Sequence, residues 1–206
     1  MRQTTTAVVV VDPAAPAAAA LARAAAVLRA GGLVAFPTET FYGLGAAAGD
    51  PAALRRVYAV KGRSESKPLL VLIDSITMAE NLAGEVTPRA RELMDRHWPG
   101  PLTLVLRARP DLPRVLTAGT GTIGMRMSPH PVARGLVRAL GAPVTAPSAN
   151  PEGWAPPTTA AQVLKAFDGT IDLVIDGGPT AGGPASTVVD VTTHAERVLR
   201  PGAVTL

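Results

Sequence analysis

The sequence predicts an α/β fold with a mixed, twisted open sheet and flanking helices, and three observations carry that reading. Short apolar runs alternate with helix-length segments along most of the chain, the pattern that lays helices against a sheet. The last strands follow one another without helices between them, which argues against an all-parallel sheet. A chain of 206 residues that is 47% hydrophobic can bury a core of its own, and its length suits one compact domain over residues 1–206.

The elements follow in order. Val8 to Val11 reads as a strand, and Asp12-Pro13 opens a helix that reaches about Leu28 and stops at Gly31-Gly32. Leu33 to Phe36 is a second strand, running into residues 37–45, whose two glycines and polar side chains predict a loop. Asp50-Pro51 caps a helix to about Val60, with Gly62 as its stop. Leu69 to Ile73 is a buried strand. Two helices follow near Ser75 to Leu82 and Thr87 to His97, and Trp98-Pro99-Gly100-Pro101 breaks the second. Leu102 to Leu106 and Thr122 to Met127 read as strands, Pro131 to Leu140 as a helix and Pro143 to Ala146 as the start of another strand. After a loop at 147–150, Thr158 caps a helix to Phe167, and strands follow near Leu173 to Ile175, Thr187 to Val191 and Arg197 to Leu199.

Composition removes several function classes. With no cysteine there is no disulfide framework and no thiolate nucleophile, and zinc fingers lack their usual ligands. His97, His130 and His194 are far apart and form no HExxH, so a histidine metal site is not expected. Arg23 and Arg29 interrupt the one long alanine-rich run, so no membrane span is expected and a cytoplasmic protein is. The net charge of +4 and a pI near 10.1 suit an anionic ligand, yet only 17% of residues are charged, which predicts a charged site over a charged coat.

Of the 20 basic residues only Lys61, Lys67 and Lys165 are lysine, and two of these fall within seven residues. Lys61-Gly62-Arg63 and Lys67 place three cations between a helix and a strand. Taken alone, the cluster fits two readings: cations against the negative end of a helix dipole, or an anion site. It is no P-loop, because GxxxxGK[ST] is absent. Thr38, Glu39, Thr40 and Tyr42 follow an apolar strand and suit either a small polar ligand or a turn that satisfies itself. Arg126 interrupts an apolar run, so it faces solvent or an anion. Ser148 and Asn150 offer a hydroxyl and an amide from a proline-flanked loop. Ser186 follows a Gly/Pro-rich stretch at 177–184 that suits a lid or a surface loop, and Asp176 and Asp190 are turn or ion-pair residues before they are magnesium ligands.

Together the pieces Phe36-Pro37-Thr38-Glu39-Thr40-Phe41-Tyr42-Gly43-Leu44-Gly45, Lys61-Gly62-Arg63 to Leu69, Trp98 to Thr103, Arg126-Met127 with His130-Pro131, Ala146 to Asn150, Ser186-Thr187 and Leu199 to Gly202 resemble the YrdC-type threonylcarbamoyl-AMP synthases, in order and over nearly the whole chain. The resemblance implies a basic concave cavity and the conversion of L-threonine, bicarbonate and ATP to threonylcarbamoyl-AMP and diphosphate, with Mg2+ carried by the ATP and no metal ligand from the protein. It implies Lys61 and Arg63 as catalytic cations. Thr40, Leu72, Arg126, Ala146 and Ser186 would meet threonine or its carbamate; Arg63, Lys67, Thr122, Ser148, Asn150, Pro156 and Arg200 would lie near the nucleotide. Pro156 stands where relatives often have serine, which leaves only its backbone for that contact. The implied partners are ATP, threonine, bicarbonate, a downstream threonylcarbamoyl transferase and tRNA or double-stranded RNA; a non-catalytic double-stranded-RNA module is the alternative. The short form without a further C-terminal domain is the expected one.

Overall fold

Ten strands and seven helices among the described residues, 5–193 and 195–206 of a computed structural model, arrange the chain as two mixed sheets with helices against them. His194, set aside above as a metal ligand, lies outside those residues. The first sheet holds β1 (Ala7–Val10), β8 (Leu173–Asp176), β2 (Val34–Pro37) and β3 (Tyr42–Gly45) in the order β1-β8-β2-β3. The second runs β10 (Arg197–Arg200), β9 (Thr187–Asp190), β5 (Leu102–Arg107), β6 (Thr122–Arg126), β4 (Val71–Leu72), β7 (Val144–Thr145). Both mix parallel and antiparallel pairs, as the uninterrupted final strands require.

The single sheet expected from sequence is divided, and the division is narrow. β3 continues into residues 46–48, whose backbone meets the β7 segment: Leu44 N–H donates to the Pro147 carbonyl at 2.8 Å, Thr145 N–H to Ala46 at 2.9 Å and Ala48 N–H to Pro143 at 3.0 Å. The two sheets therefore meet along a seam of backbone bonds.

Residues 42–45 form a strand where the sequence predicts a loop. Their glycines serve closeness. A Cβ on Gly45 would stand 2.8 Å from both Phe36 Cε1 and Val144 Cγ1, and one on Gly43 would stand 3.4 Å from the Ala146 Cβ. At Gly45 only hydrogen fits, because β2 and β7 press from both sides, whereas a Cβ on Gly43 would stand at ordinary contact distance.

The helices are α1 (Ala18–Arg29), α2 (Pro51–Lys61), α3 (Ile76–Leu82), α4 (Pro88–His97), α5 (Arg114–Thr117), α6 (Pro131–Leu140) and α7 (Ala160–Phe167). Their starts follow the caps in the sequence: Asp50, Ser75, Thr87 and Thr159 each accept backbone N–H groups of the first turn. α7 is capped one residue later than expected, at Thr159, because Gln162 completes a capping box there. α1 begins six residues later than Asp12 suggested. Asp12 instead closes a local turn on Ala14 N–H at 2.9 Å, and Pro16 disfavours helix in the residue before it. The four-residue α5 was not foreseen, being too short to show periodicity.

α1 and α6 pack together through Leu21, Ala24, Ala25 and Leu28 against Val132, Ala133, Leu136 and Val137, over Phe36 and Leu72. A larger core on the other side gathers Leu54, Leu69, Leu93, Met94 and Leu104. No helix among the described residues is long and apolar enough to cross a membrane.

Candidate active site

Alternation along β5 and β6 creates the site. Side chains on a strand point to opposite faces in turn, so Ile123 and Met125 enter the core while Thr122, Gly124 and Arg126 share the other face; on β5, Leu102, Leu104 and Leu106 face the core while Thr103 and Val105 face away. That second face is the floor of a cavity of about 420 Å³, a volume ordinary for a small-molecule site. Its walls come from the 38–43 segment, the end of α2, residues 68–70 and 146–148, Ser186 and the end of β10. Among the described residues four cations, Lys61, Arg63, Arg126 and Arg200, line it, and no acidic side chain does.

Like Lys61, Arg126 is buried at 4% exposure. Its guanidinium lies against the Glu39 carboxylate, whose other oxygen accepts a hydrogen bond from Ser128. Burial, and then the neighbouring positive charge of Arg200, lower the Arg126 pKa to about 10. Arg200 donates to the Ser186 carbonyl at 2.8 Å and to its hydroxyl at 3.1 Å, and that hydroxyl is 2.9 Å from the Thr103 hydroxyl. Burial lowers the pKa of Arg200 as well.

Lys61 ends α2, and Gly62 closes the helix in the left-handed region with φ 61°. The ammonium donates to the carbonyls of Ser148 at 2.5 Å and Asn150 at 2.6 Å, so two of its three donors brace the 148–150 loop. Burial, reinforced by Arg63, lowers its pKa to about 8. Arg63 donates from Nε to the Lys67 carbonyl at 3.4 Å and from Nη2 to the Pro68 carbonyl at 3.1 Å, and it lines the cavity beside Lys61. Lys61 and Arg63 thus stand both at the C-terminal end of α2 and in the cavity wall.

Thr40, Arg63, Thr122, Arg126, Ala146, Ser148, Pro156, Ser186 and Arg200 all line the cavity with Lys61. Three of the expected residues do not. Leu72 is buried in the core beside Phe36 and Val144; Leu70, which accepts the Ala146 N–H at 3.0 Å, takes the wall position. Lys67 points outward into an ion pair with Glu152. Asn150 is a loop brace, its amide donating to the carbonyls of Pro151 at 2.9 Å and Trp154 at 2.8 Å. Asp176 accepts from Gly178 N–H, and Asp190 from Thr192 and Arg197, so neither faces the cavity. The sequence reading passed over Thr103 as a site residue and placed Glu39 in the polar group after the second strand without naming its partner. The period-2 alternation of β5 marks the first; nothing local marks the second as the partner of Arg126.

The segment at 177–184 is tethered. Tyr42 donates its hydroxyl to the Gly178 carbonyl at 2.7 Å and Gly182 N–H donates to the Thr40 carbonyl at 2.9 Å, which fixes the backbone around Thr40.

The Sua5/YciO/YrdC family model, described as "Telomere recombination", matches residues 26–202. The chain belongs to this family. A threonylcarbamoyl-AMP synthase of Bacillus subtilis is 47% identical over 89% of the chain and 54% of its own length. A putative threonylcarbamoyl-AMP synthase of Mycobacterium tuberculosis is 40% identical, covering 88% of the chain and 83% of the relative. The solved Pyrococcus abyssi Sua5 complexed with L-threonine superposes with a TM-score of 0.92 at 44% identity, covering 96% of this chain and 58% of that one. The chain spans about half the length of the B. subtilis and P. abyssi relatives it matches.

Within this Sua5/YciO/YrdC fold the Arg200-Pro201-Gly202 turn passes directly over Ser186. A Cβ on Gly202 would meet the Ala185 carbonyl oxygen and stand 2.7 Å from both the Ser186 carbon and the Thr187 nitrogen, all of them backbone. Gly202→Ala is expected to cost about 1–3 kcal/mol of stability and to push Ser186 and Arg200 out of register. Urea denaturation together with a turnover assay checks this; wild-type stability and rate would show that the turn yields freely.

Proposed function

We propose that this protein is an L-threonylcarbamoyladenylate synthase, a nucleotidyltransferase that joins L-threonine, bicarbonate and ATP into threonylcarbamoyl-AMP, releasing diphosphate and water. The observation that carries the reading is the pairing of cations around an acid-free cavity: Lys61 with Arg63, and Arg126 with Arg200, each pair close enough for one charge to lower the pKa of the other. The names of the relatives and the threonine complex of the P. abyssi structure support the choice of substrates.

In this reading Thr40, Arg126 and Ser186 hold threonine beside the backbone at Ala146, with the Arg126 fork on the carboxylate. Arg63, Thr122, Ser148, Pro156 and Arg200 face the nucleotide, and Lys61 adds its third donor while bracing the Ser148 loop. The amine of threonine attacks the carbon of bicarbonate and water leaves. An oxygen of the resulting carbamate then attacks the α-phosphorus of ATP, and the bond to diphosphate breaks. Both reactants are anions, so the arginines offset their repulsion and the charge that builds on the departing diphosphate. The remaining catalysis is positioning, worth roughly 7–11 kcal/mol in favourable cases, which is why no nucleophile or general base is needed in the wall.

Mg2+ belongs to the ATP in this scheme. The acid-free wall offers it no carboxylate, so the phosphate oxygens would hold it and no step is assigned to a protein-bound metal. The product would pass to a separate transferase acting on the tRNA adenosine next to the anticodon, in the cytoplasm. Because the cations sit inside a cavity of small-molecule size, the RNA-binding alternative is not favoured.

The test is incubation with ATP, Mg2+ and bicarbonate plus one amino acid at a time, followed by mass spectrometry of the adduct. Threonylcarbamoyl-AMP is expected with threonine. Its absence refutes the proposal.

A further inference from the structure

We infer that Glu39 is a positioning residue for the amino-acid substrate, acting through Arg126; this rests on the threonine site proposed above. Glu39 is not in the cavity wall. It meets Arg126 at Nη1, with its carboxylate only 15% exposed. A guanidinium offers two paired edges, and occupation of Nη1 leaves the Nε–Nη2 edge, the fork that grips a carboxylate with two parallel hydrogen bonds. Arg126 Nε is buried and has no hydrogen-bond partner within the protein. A buried donor without a partner is costly, so this vacant edge suits an acceptor that arrives with substrate.

The carboxylate of Glu39 is itself fixed from behind. Ser128 donates to its second oxygen, and the same Ser128 hydroxyl accepts the His130 N–H at 3.2 Å, at the cap of α6. His130 keeps its ring turned inward on Val132 N–H at 3.2 Å, and burial lowers its pKa, so no second cation competes for Glu39 from that side. The chain α6 cap, Ser128, Glu39, Arg126 thus transmits the position of a helix to the guanidinium.

Glu39→Gln keeps the side-chain shape and removes the charge. Titration calorimetry with L-threonine, and separately with a non-hydrolysable ATP analogue, reads the effect. Threonine affinity is expected to fall about tenfold or more, the range for a lost charged hydrogen bond, while affinity for the ATP analogue changes less than about twofold. Glu39→Asp, which keeps the charge, should restore part of the threonine affinity. Ser128→Ala, which disturbs no charge, should weaken threonine about threefold and serves if Glu39→Gln does not fold. Unchanged or tighter threonine binding in Glu39→Gln, as expected of a carboxylate that only competes with substrate, overturns the inference. Equal losses for both ligands overturn it too. A wild-type protein that fails to bind threonine instead removes the proposed threonine site on which the inference stands.

Discussion

Arg126→Met is expected to abolish threonine binding and to cost about 3–5 kcal/mol of stability, the larger of the two effects drawn here. The side chain is buried, and its removal leaves the Glu39 carboxylate largely buried with Ser128 as its remaining side-chain partner. An uncompensated buried carboxylate is more expensive than a missing pair. The double variant Arg126→Met/Glu39→Gln should therefore regain part of the lost stability while remaining unable to bind threonine. Urea denaturation reads the first quantity and calorimetry the second. Additive stability losses would show that the two side chains are not coupled.

Arg63→Ala is expected to lower diphosphate release that depends on threonine and bicarbonate by about 100-fold or more, the scale for losing one charged donor to a transition state. Threonine affinity should persist, because Arg63 belongs to the other cation pair, and stability should change by less than about 1 kcal/mol, since its internal bonds are to carbonyls at a half-exposed turn. Unchanged turnover would remove Arg63 from the phosphate site. The two variants together separate the amino-acid half of the cavity from the nucleotide half.

Most helices were legible because their ends carry chemistry of their own. Asp50-Pro51 with Gly62, Thr87-Pro88 and Pro131 to Leu140 fall where the sequence places them. The strand at Tyr42–Gly45 was hidden because glycine signals a turn and a tight interface equally well, and the choice depends on Phe36 and Val144, the latter about a hundred residues away. The division into two sheets was hidden for a similar reason: whether β3 and β7 join depends on curvature that local sequence does not encode.

The site shows the same limit. Residue types and order identified ten of the lining residues, yet Lys67 turned outward because Glu152 awaits it, 85 positions along the chain. Leu72 shares a face with Leu70, two residues before it, but is fully enclosed in the core with Phe36 and Val144, whereas Leu70 reaches the cavity wall. The partner of Glu39 stayed unnamed because it is Arg126, on a different sheet. Side-chain identity was available in the sequence; side-chain direction came from partners.

The seam between the sheets also fixes when the protein becomes competent. Cavity walls draw on segments from Thr38 to Arg200, and the last of them, β10, pairs with β9 only once residue 200 has been added. Arg200 then locks Ser186 in place. A chain emerging from the ribosome can fold α1, α2 and the hairpin of β2 and β3 early, through local contacts, but it holds no complete pocket until its final strand arrives. A polypeptide cut short before β10 would therefore lack both the Arg200 wall of the cavity and the bonds that hold Ser186.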